Sequence, residues 1–160
     1  MVSCAPSFFR IGENDAGKFV QLGFFLRFEL GSLGRHFKGN CRAAFEFYKN
    51  AFGGDFTMIS TAEENALPIA ENEKNLLVYI ELPIGGIKLM GADMFPSMGD
   101  KLQLGNQNYV VINTTTQEEA NKLFAVLSEG GTIETPIGEQ YFGYYGSFTD
   151  KFGIGWMFLC

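Results

Sequence analysis

Two stretches of the chain carry apolar residues at the spacing of a single helical face. Ala44, Phe47, Tyr48 and Ala51 fall at i, i+3, i+4 and i+7, and Ala120, Leu123, Phe124 and Leu127 repeat the pattern. The first stretch opens on Asn40 and the second on Thr116, residue types whose side chains accept an unpaired N–H of a helix's first turn. Thr116 with Glu119 forms a capping box. Each stretch runs into a glycine pair, Gly53-Gly54 or Gly130-Gly131, suited to closing a helix. The spacing predicts one helix between Asn40 and Gly54 and a second between Thr116 and Gly131.

The flanks repeat as well. Gln107–Asn113 reads as a strand by its β-branched and aromatic content, and Leu30–Phe37, broken by Gly31 and Gly34, is its less regular counterpart. Alternation and turn residues predict strands at about 55–61, 75–82 and 86–92 after the first helix, and at about 132–137, 141–148 and 154–159 after the second. Gly85-Gly86 marks the hairpin turn within Glu81–Ile87. Each half therefore reads β-α-β-β-β. The modules span 24–95 and 105–160, with 96–104 as linker; residues 1–23 read as a loosely attached extension, and Phe24–Leu30 alternates as a strand. A four-stranded sheet with one helix has one covered face. The expected fold is α+β: two tandem βαβββ modules in one compact domain, their curled mixed sheets enclosing a concave cavity with the helices packed outside. Such a cavity is a natural place for a small ligand.

Composition narrows the function classes. The 160 residues include 17 Phe and 20 Gly, and 46% are hydrophobic, which excludes a disordered chain. The net charge of −6 comes without a Lys/Arg cluster, so no nucleic-acid partner is expected. No apolar run reaches the roughly 18 residues of a membrane span, so no membrane partner is expected either. Met1–Lys18 lacks a basic stretch followed by a continuous apolar one, and Cys4, Cys41 and Cys160 form an odd, scattered set without a CxxC. Both features suggest a cytoplasmic protein, with neither a disulfide framework nor a zinc knuckle. So much Phe in two thin layers leaves apolar surface over, which predicts a homodimer.

The run Phe37-Lys-Gly-Asn-Cys-Arg-Ala-Ala-Phe-Glu-Phe-Tyr48 followed by Phe52-Gly-Gly54 resembles the PhnB-like branch of the vicinal oxygen chelate superfamily, which includes glyoxalase I, bleomycin resistance proteins and extradiol dioxygenases. Leu89–Asp93, Glu118–Ala120, Gly130-Gly131 and Tyr145–Trp156 extend the resemblance over residues 30–160. It implies paired βαβββ modules, often a homodimer, and in the enzymes a divalent metal held by a His on the first strand and a Glu on the last strand of each module. Carried over by offset, those positions fall on Leu33, Met90, Tyr109 and Met157, with Ser32, Gly34, Asn108, Val110, Leu89, Gly91, Trp156 and Phe158 beside them. None supplies the imidazole or carboxylate a hard metal requires. No cofactor is expected, and a divalent metal is disfavoured.

Further candidates follow from residue type. Arg35 shares strand parity with Leu33 and is expected to face the cavity, where it would fork a carboxylate or phosphate. Tyr109 and Tyr145 are candidate pocket walls, and Trp156, out of phase with Met157, is expected in the helix-packed core. Leu33, Arg35, Met90, Tyr109, Tyr145 and Met157 thus make up the expected ligand-binding set. The lone His36 is out of phase with Leu33 and reads as structural. Glu81 and Asp93 lie near strand ends, Asp150 in a turn and Cys41 in a first helical turn; each has a structural role as its ordinary reading. No phosphate loop is present. The sequence favours a small-molecule binding protein without metal or turnover over a metal-dependent lyase, isomerase or dioxygenase, with a non-catalytic dimeric interaction protein as the third reading.

Overall fold

The computed structural model describes residues 19–22, 32–103, 105 and 107–160, with backbone alone for 19–22, 32 and 33. The expected strand at Phe24–Leu30 lies outside the described residues. The chain divides into two compact units. One contains β2 (Ser32–Phe37), α1 (Cys41–Phe52), β3 (Met58–Thr61), β4 (Leu77–Ile84) and β5 (Ile87–Asp93). The other contains β6 (Tyr109–Asn113), α2 (Gln117–Leu127), β7 (Thr132–Gln140), β8 (Gly143–Thr149) and β9 (Gly155–Leu159), joined by β1 (Phe19–Leu22) from the N-terminal stretch. The fold is α+β, built from paired βαβββ modules.

Both sheets are open and mixed. The first runs β2-β5-β4-β3, with β2 and β5 parallel; the second runs β1-β6-β9-β8-β7, with β6 and β9 parallel. The fifth strand is an addition to the repeat: β1 pairs antiparallel with β6, Phe19 opposite Asn113 and Leu22 opposite Val110. The β4–β5 hairpin turns on Gly85 and Gly86, at φ 52° and 91°, as the sequence suggests. β7 runs to Gln140, three residues beyond its expected end, as an edge strand whose register shifts twice along its length.

Each helix covers one sheet face with aromatic rings. On α1, Ala44, Phe45 and Tyr48 are buried, and Phe45 meets Phe37 of β2 edge-to-face at 6.1 Å. On α2, Ala120, Leu123, Phe124 and Leu127 are buried, and Phe124 meets Phe148 at 4.9 Å and Phe158 at 5.9 Å. Burying one such side chain is worth roughly 2 kcal/mol. Close approach demands glycine beneath both helices. A Cβ on Gly91 would sit 2.3 Å from the Phe45 ring, and one on Gly146 would sit 2.7 Å from the Phe124 ring.

The helix starts differ from each other. Thr116 caps α2 as expected, its hydroxyl accepting the Glu119 N–H at 3.2 Å. The Asn40 side chain makes no such bond. The buried Asp93, at the end of β5, takes its place and accepts from Cys41 N at 3.0 Å and Leu77 N at 2.9 Å. Asp150 likewise holds a turn, accepting from the backbone N–H groups of Phe152 and Ile154 and from Trp156 Nε1. Trp156 is fully buried on the α2 side, as its parity predicts. Cys41 is a free, buried thiol whose pKa burial pushes far above the ordinary range, with Asp93 adding to the effect. Cys160 is disulfide-bonded. Among the described residues no helix is long and apolar enough to cross a membrane.

Candidate functional site

Strand alternation assigns every sheet residue to a helix-covered or a helix-free face. Phe37 packs on Phe45, so Arg35, in phase with it, lies on the α1 side and Gly34 and His36 lie on the helix-free side. This corrects the expected assignment. Arg35 does not face away from the helix to meet a ligand: burial lowers its pKa, and its Nη2 is enclosed without a hydrogen-bond partner. His36, read as pointing away from the ligand face, occupies that face and is exposed.

The cause is one extra residue between the last helix-side residue and the helix: three residues separate Phe37 from α1 and two separate Thr114 from α2. Phe37 lies opposite Asp93, while in the second unit Asn113 lies opposite Leu159 and Thr114 follows as the α2-side residue. The connection to the helix is thus longer by one in the first unit, where Gly39 bends the chain at φ +82°. An equal offset from the two helices therefore selects opposite faces. Register makes Ser32 the counterpart of Tyr109, and Gly34 the counterpart of Val111, with Met90 and Met157 equivalent. Leu33 pairs with Leu89 on the other phase, and its side chain lies outside the described set.

On the helix-free face of the first sheet, Met90 lies beside Gly34 and Glu81, and Glu81 beside Met58. Glu81 is 6% exposed. It accepts from Thr57 Oγ1, from Tyr79 OH at 2.8 Å and from Lys88 Nζ at 2.9 Å. These bonds, Thr57 first, hold its pKa down at about 2. The carboxylate is fixed, ionised and neutralised by a lysine, which suits it to anchoring three strands and ill suits it to accepting a proton near neutrality.

The second sheet's helix-free face brings together three of the expected residues, Tyr109, Tyr145 and Met157. The Tyr109 ring lies across Gly155: a Cβ there would meet it at 2.8 Å. The ring thus spans β9 and delivers its hydroxyl to Glu134 Oε2 at 2.8 Å, while Glu134 Oε1 accepts from Thr149 Oγ1 at 2.8 Å. The bond to Glu134 raises the Tyr109 pKa, burial and the carboxylate's charge adding to it. Glu134 escapes sequence reading because it is the extra residue of a register shift: Ile133 lies opposite Phe148 and Thr135 opposite Ser147, leaving Glu134 unmatched. A strand rich in Gly and Pro at an edge is the available signal, and it does not name the residue.

Sequence comparison decides the family. The model of the Glyoxalase/Bleomycin resistance protein/Dioxygenase superfamily matches residues 36–158. The chain belongs to this superfamily. It is similar to Protein YjdN of Escherichia coli (strain K12), with 29% identity over 131 residues, covering 76% of this chain and 88% of the relative. Among solved structures it is similar to protein PA1353 from Pseudomonas aeruginosa, at 28% identity and a TM-score of 0.73, covering 82% of this chain and 97% of that one. A protein from Bacillus cereus described as a putative 3-demethylubiquinone-9 3-methyltransferase, PhnB protein, shares the fold at 24% identity and a TM-score of 0.63, over 83% of this chain and 98% of that one.

The superfamily's enzymes imply a divalent metal, and the residues here fit one poorly. Among the described residues no group of three or more His, Cys, Asp or Glu is placed to hold a cation. The helix-free positions Gly34, Met90, Val111 and Met157 offer thioethers, aliphatic carbon or nothing, none of them a hard donor. Glu81 has its oxygens engaged by three donors.

Proposed function

We propose that the protein is a small-molecule binding member of the superfamily that holds an apolar or aromatic ligand on a helix-free sheet face without using a divalent metal. The observation that carries this reading is the alternation that sets Met157 in phase with Tyr109 and Tyr145 on one such face, where an enzyme of the superfamily would present hard donors. Thioethers and tyrosine rings are adaptable, apolar surfaces with a hydroxyl handle, suited to organic ligands. The test is metal content after purification without chelator, together with thermal shifts against Ni, Zn, Mn and Fe(II) and against a panel of aromatic compounds. Melting raised by an aromatic compound and unmoved by the metals is the expected result. Stoichiometric metal with a shift of several degrees would overturn it in favour of a lyase, isomerase or dioxygenase.

A second observation favours self-association. Tyr141 is 99% exposed, and Met58, Phe142 and Ile133 are each more than half exposed, an apolar load that water disfavours. We infer a homodimer. Light scattering at micromolar concentration is expected to give twice the chain mass, and a mass near 17.7 kDa would refute it.

A further inference from the structure

The helix-free face of the second sheet differs from that of the first in its charge. None of the strands β1, β6, β7, β8 and β9 contains a Lys or Arg. Glu134 nevertheless stands on that face, exposed, with both oxygens bonded to neutral hydroxyls, those of Tyr109 and Thr149. Among the described residues no basic side chain forms an ion pair with it. Glu81 on the first sheet has the same kind of hydroxyl donors, Thr57 and Tyr79, and in addition the Lys88 ammonium. One carboxylate is therefore internally neutralised and the other is not.

The uncompensated carboxylate is coupled to an aromatic ring. Tyr109 is held flat over Gly155 at one end and by Glu134 at the other, so the ring has a fixed orientation, and its bond to a carboxylate enriches the ring's π-face. A cation is attracted both to that face and to the carboxylate. Tyr145 and Met157 share the surface and supply further polarisable contact. The whole chain carries a net charge of −6, which draws cations toward it at a distance.

We propose that this face binds an organic cation, a flat heteroaromatic or aryl-substituted ammonium, with its positive charge between the Tyr109 ring and the Glu134 carboxylate. The proposal rests on the small-molecule reading above and adds the sign of the ligand's charge.

The test is a charge ladder on one ring system. N-methylquinolinium, neutral quinoline and 2-naphthoate are titrated calorimetrically into the protein at neutral pH and low salt. The cation is expected to bind about tenfold tighter than quinoline, with 2-naphthoate weakest, and added salt should narrow the gap. Glu134→Gln, which keeps the shape and an acceptor for Tyr109, is expected to bring the cation-to-quinoline ratio close to one. Glu139→Gln removes a charge from the same strand at a residue bonded to Gln117 of α2, and should leave the ratio as it is. A ratio unmoved by Glu134→Gln, or moved equally by Glu139→Gln, overturns the site while leaving small-molecule binding intact. Binding of none of the three probes would overturn both readings.

Discussion

On their helix sides the β2–β5 sheet and the β6–β9 sheet solve one packing problem with the same pieces: an edge-to-face cluster of Phe rings, a bare glycine under the helix, and a buried aspartate tying a turn or a helix start to the backbone. On their helix-free sides they part. The first sheet carries a carboxylate locked among a lysine and two hydroxyls, and the second carries a tyrosine ring steered by a carboxylate that has no cation of its own among the described residues. The contrast teaches that the repeat conserves what the helices press against and leaves the opposite surface to diverge. Packing tolerates few alternatives at interior density, whereas a sheet's other face constrains only the alternation.

The shared half of the comparison should give the largest effect. Gly91→Ala and Gly146→Ala each place a methyl within 3 Å of a ring. Both are expected to cost about 2 kcal/mol in urea unfolding, and to a similar degree, because both helices would have to lift. A variant with wild-type stability would show that one helix is loosely seated and that the likeness is superficial. Next, Glu81→Gln should lower the melting temperature clearly, since it strands Lys88 and weakens two hydroxyl bonds, whereas Glu134→Gln should leave it nearly unchanged. Equal losses in calorimetry would erase the distinction between a structural and a free carboxylate.

A smaller effect lies in the acid limb. The folded pKa of Glu81 is depressed to about 2, so the ionised form favours the native state. Its contribution is complete above the ordinary carboxylate range and disappears as pH falls from there toward about 2. Melting temperature in that window should decline more steeply for the natural chain than for Glu81→Gln; parallel curves would show that the three donors do not hold the charge. The smallest effect concerns Tyr109. Its raised pKa means that the protonated phenol favours the fold, a contribution present below the ordinary tyrosine range and lost as pH rises through the folded value. In a phenol absorbance titration, Glu134→Gln should shift one tyrosine back toward the ordinary range, and an unchanged profile would disconnect the pair.

Much of the helix side was legible in the chain. The i, i+3, i+4, i+7 rows named most of the buried helix residues, Thr116 announced its cap, Gly85-Gly86 its hairpin, and the phase of Trp156 its burial. What stayed hidden depends on single-residue registers. The added residue around Gly39 exchanged the faces of Arg35 and His36. The unmatched Glu134 of β7 has no periodic signature. Asp93, at a strand end more than fifty residues away, stands in place of Asn40 as the partner of the α1 start. The pairing of β1 with β6 is nonlocal in the same way, joining strands separated by a whole module. Periodicity records which residues avoid water together, and it carries no count of the residues spent in a connection.

Gly39 also limits how the two halves can be recombined. A builder who transplants β2 into the place of β6, matching residues by distance from the helix, would install a strand turned inside out, with His36 pressed against α2 and Arg35 facing away from it. A working graft must bring the Lys38-Gly39 connection along with the strand, or delete one residue from it. The interchangeable piece of this fold is therefore strand plus junction, and a single codon at the junction inverts the whole strand.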